Sequence, residues 1–211
     1  VIKNAIEEVD FHEKPKDKIN LIYHTTPWRG LSHLLKVFKN FNRDDVELNI
    51  CSSIKIYGKK FNDAYGKKYE NIFEECKNTK NVNYLGFVKN NDIIKLLQNT
   101  HIFSYPSVWP ETSCIAAIES MAAGCEMVST NLGAIFETCA PFAKLITFDR
   151  NFSNLEKRYS NALLNSIDNY WSEENQNKLK LQRESINLLY SWKKRSIEWK
   201  NFFNEARNLK K

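Results

Sequence analysis

The sequence predicts an α/β protein, a doubly wound parallel sheet with helices on both faces, followed by helices that cover the sheet. Three observations lead there. Along the first two thirds of the chain, apolar residues alternate between a strand period of two and a helical period of 3.6. The short strand runs are separated by helical runs, the pattern of repeated strand-helix units that build parallel sheets. From about Ser153 the strand pattern stops, and three long helical segments rich in aromatic residues take its place.

The elements follow in order. INLIYH (19–24) reads as a buried strand, TTPWRG as a loop, and LSHLLKVFKNF as a helix whose Leu31, Leu34, Leu35, Phe38 and Phe41 recur on one face. VELNIC (46–51) is a second strand, SIKIYG an extended stretch after it, and YGKKYENIFEECKN a polar helix. VNYLGFV (82–88) is a third strand, NDIIKLLQN a helix, and HIFSY (101–105) a fourth strand ending at Pro106. PETSCIAAIESMAAG supplies a helix that Gly124 closes as a left-handed cap. EMVST (126–130) and KLITF (144–148) are two more strands. In the last helical segment Trp192, Ser196, Trp199, Phe202 and Phe203 share a face, expected to lie with its neighbours against one side of the sheet.

Composition narrows the class. With 211 residues, 42% of them hydrophobic and 27% charged, the chain is an ordinary globular protein with one sizeable core. The net charge of +6 is compatible with anionic ligands, but the lysines are spread among asparagines as on a solvated surface. No basic stripe interleaved with aromatics occurs, so nucleic acid is not an expected partner. Five cysteines at wide, irregular spacing, with no C-x-x-C pair, argue against a disulfide framework or a zinc site and for reduced thiols in a cytosolic setting. No apolar run is long enough to span a bilayer. The opening VIKNAIEEVDF is no signal peptide and reads as the start of a fragment within a longer protein.

In open parallel sheets ligands bind beyond the carboxyl ends of the strands. The loops to inspect are therefore 24–30, which holds Arg29 and Gly30; 86–90, with Gly86; 105–113; and 130–134, with Gly133. The third leads into a helix start where Thr112 to Ala116 are small or uncharged, leaving free backbone N–H groups open to an anion. If Glu111 and Glu119 lie on one helix, they stand about 12 Å apart along its axis and roughly 80° around it. That is too far for an acid and base sharing one scissile bond. It suits two carboxylates gripping hydroxyl groups at opposite ends of one ligand. A glutamate in a first helical turn is favoured by the macrodipole whatever its function; Glu119, among apolar neighbours, is a buried carboxylate that needs partners. No G-x-G-x-x-G follows the first strand, which opposes a dinucleotide-dependent dehydrogenase.

PETSCIAAIESMAAG resembles the E-x7-E motif of family 4 glycosyltransferases, retaining enzymes of the GT-B fold. Four more stretches agree in order: VIKNAIEEVDF resembles the linker into the C-terminal domain, and YHTTPWRGLSHLL the glycine-containing first loop. VNYLGFVKNNDIIKLL is similar to the base-binding loop, and STNLGAIFET to the segment after the next strand. The resemblance implies a Rossmann-like donor-binding half with a linker at 1–18, a nucleotide-sugar-binding core at 19–152 and C-terminal helices at 153–211. It implies that Glu111 holds the donor sugar's hydroxyls and Glu119 the ribose hydroxyls. The backbone of Thr112, Ser113 and Cys114 faces the sugar and diphosphate, Phe87 and Val88 frame the base, and Gly30 and Gly133 let backbone approach the donor. Arg29, at the position of the family's lysine, neutralises the departing diphosphate.

The implied reaction moves a hexose from a UDP- or GDP-sugar, a substrate rather than a cofactor. No D-x-D carboxylate cage for a metal occurs in the chain. An N-terminal GT-B half, absent from this chain, would supply the acceptor site and any peripheral contact of a cytoplasmic enzyme with a membrane surface. There are departures. The family's second phosphate-binding arginine falls near His24 or Thr25 and is missing, NAI replaces NGI, and IFET replaces LPET. A non-catalytic nucleotide- or glycan-binding module is the alternative these departures leave open.

Overall fold

The computed structural model describes residues 1–208. Six strands, β1 (Ile19–Tyr23), β2 (Val46–Ile50), β3 (Val82–Tyr84), β4 (Ile102–Tyr105), β5 (Glu126–Thr130) and β6 (Lys144–Ile146), form one sheet in the order β3-β2-β1-β4-β5-β6. Every neighbouring pair is parallel. The helices are α1 (Leu31–Lys39), α2 (Lys59–Lys77), α3 (Asn90–Gln98), α4 (Ile115–Ala122), α5 (Ile135–Cys139), α6 (Phe152–Asp168), α7 (Glu173–Tyr190) and α8 (Trp192–Asn208).

This is the doubly wound sheet expected. The chain leaves β1 towards β2 in one direction and, after β4, moves towards β5 in the other. Right-handed crossovers then put α1 and α4 on opposite faces, and the strand order reverses between β1 and β4. Burial follows position in the sheet. All residues of the central strands β4 and β5 are buried, β2 alternates, and the edge strands β3 and β6 are only partly covered. The core is built from Leu21, Ile22, Leu48, Ile50, Phe103, Met127 and Val128 on the strands, with Leu34, Leu35, Ile118 and Leu163 from the helices.

The first eighteen residues form no helix or named strand, yet they are tied down. Ile6 bridges Ser191 and donates its N–H to Tyr190 O at 2.9 Å, and Val9 N–H donates to Asn187 Oδ1 at 2.9 Å. All five cysteines are buried and unpaired.

Four expectations change. SIKIYG is not extended: Lys55–Tyr57 form a turn of 3-10 helix closed by Gly58, and α2 begins at Lys59, six residues before the polar helix read from the sequence. VNYLGFV is a strand only over Val82–Tyr84, because Gly86, with φ of 65°, turns the chain out of the sheet. Glu111 does not lie on the helix that carries Glu119: α4 starts at Ile115 with Cys114 as its N-cap. Its backbone is instead bridged to Gly133, and its carbonyl accepts the Ala134 N–H at 2.7 Å.

The last change concerns the covering helices. α6 packs on α1 and on β4, β5 and β6, but α7 packs on α4, and α8 packs chiefly on α7. Arg195 is the buried residue of α8, while Trp192, Trp199, Phe202 and Phe203 stay exposed instead of covering the sheet. Residues 209–211 of the expected helical part lie outside the described residues.

Candidate functional site

Beyond the carboxyl ends of β1 to β4 lies a cavity of about 510 Å³ at the switch in strand order. His24, Thr25, Thr26 and Arg29 reach it from the loop after β1, Cys51, Ser53, Ile56 and Tyr57 from the segment after β2. Gly86 to Asn90 line it after β3, and Ser113 to Ala116 with Glu119 come from the start of α4. Three of the four loops singled out in the sequence thus meet at one place.

The start of α4 points its backbone donors here. The first helical N–H groups with helix partners are those of Ala117 and Ile118, both bonded to Cys114 O, so the preceding N–H groups of Ile115 and Ala116 are left for a ligand. With the positive end of the macrodipole, that is a seat for an anion. Cys114, its N-cap, stays a thiol, since burial pushes it up to about 12. The hydroxyls of Thr25 and Thr26 and the Nε of Arg29 are buried with no partner in the protein. Unpaired buried donors are costly and here cluster on a cavity wall.

Arg29 is held from beneath. Its Nη1 donates to Glu111 Oε1 at 2.8 Å, and the same oxygen accepts the hydroxyl of Tyr105. The guanidinium also lies 5.9 Å from the Trp109 ring centroid. Burial works against the charged form of Arg29, but Glu111, followed by Tyr105 and Tyr57, outweighs it and raises its pKa. Glu111 itself is 6% exposed and does not line the cavity.

Glu119 does line it, where Asn90 Nδ2 donates to its Oε1 at 3.0 Å. Burial raises its pKa, and the Asn90 bond opposes that. His24, which with Thr25 marks where the resemblance puts the missing arginine, is bonded through Nε2 to Ser120 Oγ at 2.8 Å. Desolvation lowers it to about 4, so it is a neutral polar group at pH 7.

Gly30 and Gly133 serve the walls rather than the cavity. A Cβ on Gly30, at φ of 132°, would sit 2.2 Å from Pro106 O; one on Gly133, at φ of 66°, would sit 2.5 Å from Glu111 N and O. Each lets one loop lie directly on another. Thr112 is exposed and outside the lining. Of the residues expected, Arg29, Phe87, Val88, Ser113, Cys114 and Glu119 converge on the cavity; Gly30, Glu111, Thr112 and Gly133 stand behind or beside it. Tyr105, Asn90, Ile56 and Tyr57 were not anticipated. An apolar strand residue and an exposed asparagine carry no local signal for a partner six or twenty-nine positions away. Among the described residues no group of three or more His, Cys, Asp or Glu could hold a metal ion, and no helix is long and apolar enough to cross a membrane.

A parallel sheet with an anion-ready helix start, a fixed guanidinium and a buried carboxylate at its switch point defines a doubly wound α/β fold with a cavity where such folds take their ligands. The family model for glycosyl transferases group 1 matches residues 3–182, and the chain belongs to that family. No curated protein sequence matches it. The fold is that of solved glycosyltransferases. Sucrose-phosphate synthase from Thermosynechococcus elongatus superposes with a TM-score of 0.76 at 14% identity, over 99% of this chain and 52% of that one. A glycosyltransferase from Rickettsia africae gives 0.67 at 16% identity, over 90% and 48%. Anabaena HepE in complex with UDP gives 0.70 at 14%, over 90% and 49%. The chain therefore spans about half the length of the structures it matches.

Proposed function

We propose that this chain is the donor-binding half of a retaining, family 4 glycosyltransferase that takes a hexose from a UDP- or GDP-sugar. The observation that carries the proposal is the convergence on one cavity of the open α4 start, Arg29 and the Asn90–Glu119 pair. A nucleoside diphosphate matches those groups from end to end. The ribose hydroxyls meet Glu119, the diphosphate meets the N–H groups of Ile115 and Ala116 and the charge of Arg29, and the base lies by the Phe87 and Val88 backbone. HepE, of the same fold, has been solved with UDP and with UDP-glucose.

In this reading Arg29 stabilises charge that grows on the diphosphate as the sugar bond breaks, and Glu111 acts first by holding Arg29 in place. A preorganised cation in a half-buried site supplies such stabilisation without reorganising, so the proposal assigns the task to no metal ion. The acceptor would bind on a second half that this chain does not contain. The chain alone would then bind donor without transferring sugar. A second reading, a non-catalytic nucleotide- or glycan-binding module, is favoured by His24 and Thr25, an uncharged ring and a hydroxyl near which the resemblance puts a second arginine.

A thermal-shift screen of nucleotide sugars tests the binding claim. A ligand at 100 times its Kd stabilises by about 2.7 kcal/mol. Stabilisation by a UDP- or GDP-sugar supports the proposal, and none with any nucleotide sugar at millimolar concentration contradicts it.

A further inference from the structure

We infer that Lys14 is a positioning residue for the nucleotide, acting from the opposite end of the sheet by fixing α3 against α4. Its ammonium donates to Leu97 O at 2.7 Å, Gln98 O at 3.2 Å and Ala123 O at 2.9 Å. Leu97 and Gln98 are the last residues of α3, and Ala123 is the C-cap of α4. One side chain thus ties the ends of two adjacent helices. At the cavity the same two helices are tied a second time, where Asn90, the first residue of α3, bonds Glu119 of α4.

The chemistry explains why a lysine is there. The C-terminal carbonyls of a helix lack partners and carry the negative end of its dipole. Two such ends set side by side repel, and a cation between them turns that repulsion into attraction. Burying an ammonium is expensive, and an apolar side chain fills the same space more cheaply when packing is the only need. Three bonds to two helices do something packing does not: they set the spacing and register of α3 against α4. Both helices are short, nine and eight residues, so a shift at one end is carried to the other. The segment bearing Lys14 is itself anchored, since Pro15 O accepts from Nε2 of His101 at 2.9 Å while Asn20 N–H donates to Nδ1 at 2.8 Å.

The inference rests on the reading that Glu119 receives the ribose hydroxyls. It predicts that Lys14 affects ligands that have those hydroxyls and spares those that lack them. The experiment is calorimetry of UDP and of 2′,3′-dideoxy-UDP, each with parent, Lys14→Met and Lys14→Gln, and of the GDP pair in parallel. The parent should prefer the natural nucleotide by about tenfold or more, as expected for hydrogen bonds to a carboxylate. Lys14→Met should lose most of that preference while binding the dideoxy nucleotide within about twofold of parent. Lys14→Gln, which keeps two N–H donors, should retain more of it and serves if the methionine variant does not fold. A parent with no preference refutes the ribose reading itself. A parental preference kept undiminished in a folded variant refutes the role of Lys14 alone, as does equal weakening of both ligands.

Discussion

Arg29 and Glu111 form a single unit: the guanidinium rests on the carboxylate at 2.8 Å, and the Tyr105 hydroxyl fastens the same oxygen from the core side. Arg29 is partly exposed at the cavity, while Glu111 is buried behind it. The pair therefore presents a cation whose direction is set by a group the ligand need not touch.

In a polypeptide that also carries an acceptor-binding half, Arg29→Ala should lower kcat more than it raises KM for the donor, because the charge matters most as the bond breaks. The expected loss is 10²–10³ in rate, about 2.7–4 kcal/mol, with partial recovery in Arg29→Lys. Steady-state kinetics with and without EDTA checks this. Parental kcat in Arg29→Ala, or activity abolished by chelation, contradicts the assigned role.

Glu111→Gln keeps the shape but removes the charge beneath Arg29. Freed from its anchor, Arg29 should contribute less, weakening diphosphate binding by about 1–3 kcal/mol, the scale of a charge-assisted hydrogen bond. Calorimetry with a nucleoside diphosphate measures it. Equal loss with the free nucleoside shows instead that the whole cavity has changed.

Gly133→Ala sets a methyl group against the Glu111 backbone in a φ region that alanine resists. Strain of this kind costs about 1–3 kcal/mol before any clash is relieved. Urea denaturation should show at least that loss, and nucleotide binding should weaken with it, because the Glu111 segment must move. Gly58, where a Cβ meets nothing within 4 Å, is the control: Gly58→Ala carries the φ cost without the clash and should leave the cavity intact.

Acid should weaken the fold through two histidines. Desolvation holds both His24 and His101 at about 4, against 6.5 for an exposed imidazole. The depressed pKa means that the unfolded chain takes up protons first as pH falls. Their contribution is complete above 6.5 and is lost between 6.5 and about 4. For His101 the geometry agrees, since the Asn20 N–H already occupies Nδ1. Urea midpoints at pH 7 and pH 5 test this, with His101→Asn expected to flatten the difference. A parent equally stable at both values contradicts it.

Much of the fold was legible because strand and helix periods are local. β1, β2, β4 and β5 lie within a residue of the runs read from apolar spacing, and the loops after β1, β3 and β4 could be named from strand order logic alone. What escaped depends on contacts made across the chain. Lys55–Tyr57 carry alternating residues like a strand, but Tyr57 packs on Trp28 and Phe61, ring centroids 5.5 and 4.9 Å away, and the segment closes into a turn. Glu111 follows a proline and precedes small residues, as a first helical turn does, yet pairing with Gly133 holds it extended. The aromatic stripe of α8 has a helical period whether or not anything lies against it, so periodicity could not say that it stays exposed. Lys14, in a stretch without regular structure, gave no sign of its three carbonyl partners.

In the proposed function this cavity receives a nucleoside diphosphate with its ribose at Glu119. Calorimetric titration of UDP, GDP and ADP into the parent and into Glu119→Ala tests it most directly. One of the three should bind the parent, and the substitution should weaken that binding by about 1.5–3 kcal/mol, the worth of hydrogen bonds to a charged group. Equal affinity in the two proteins, or no binding of any of the three at millimolar concentration, contradicts it.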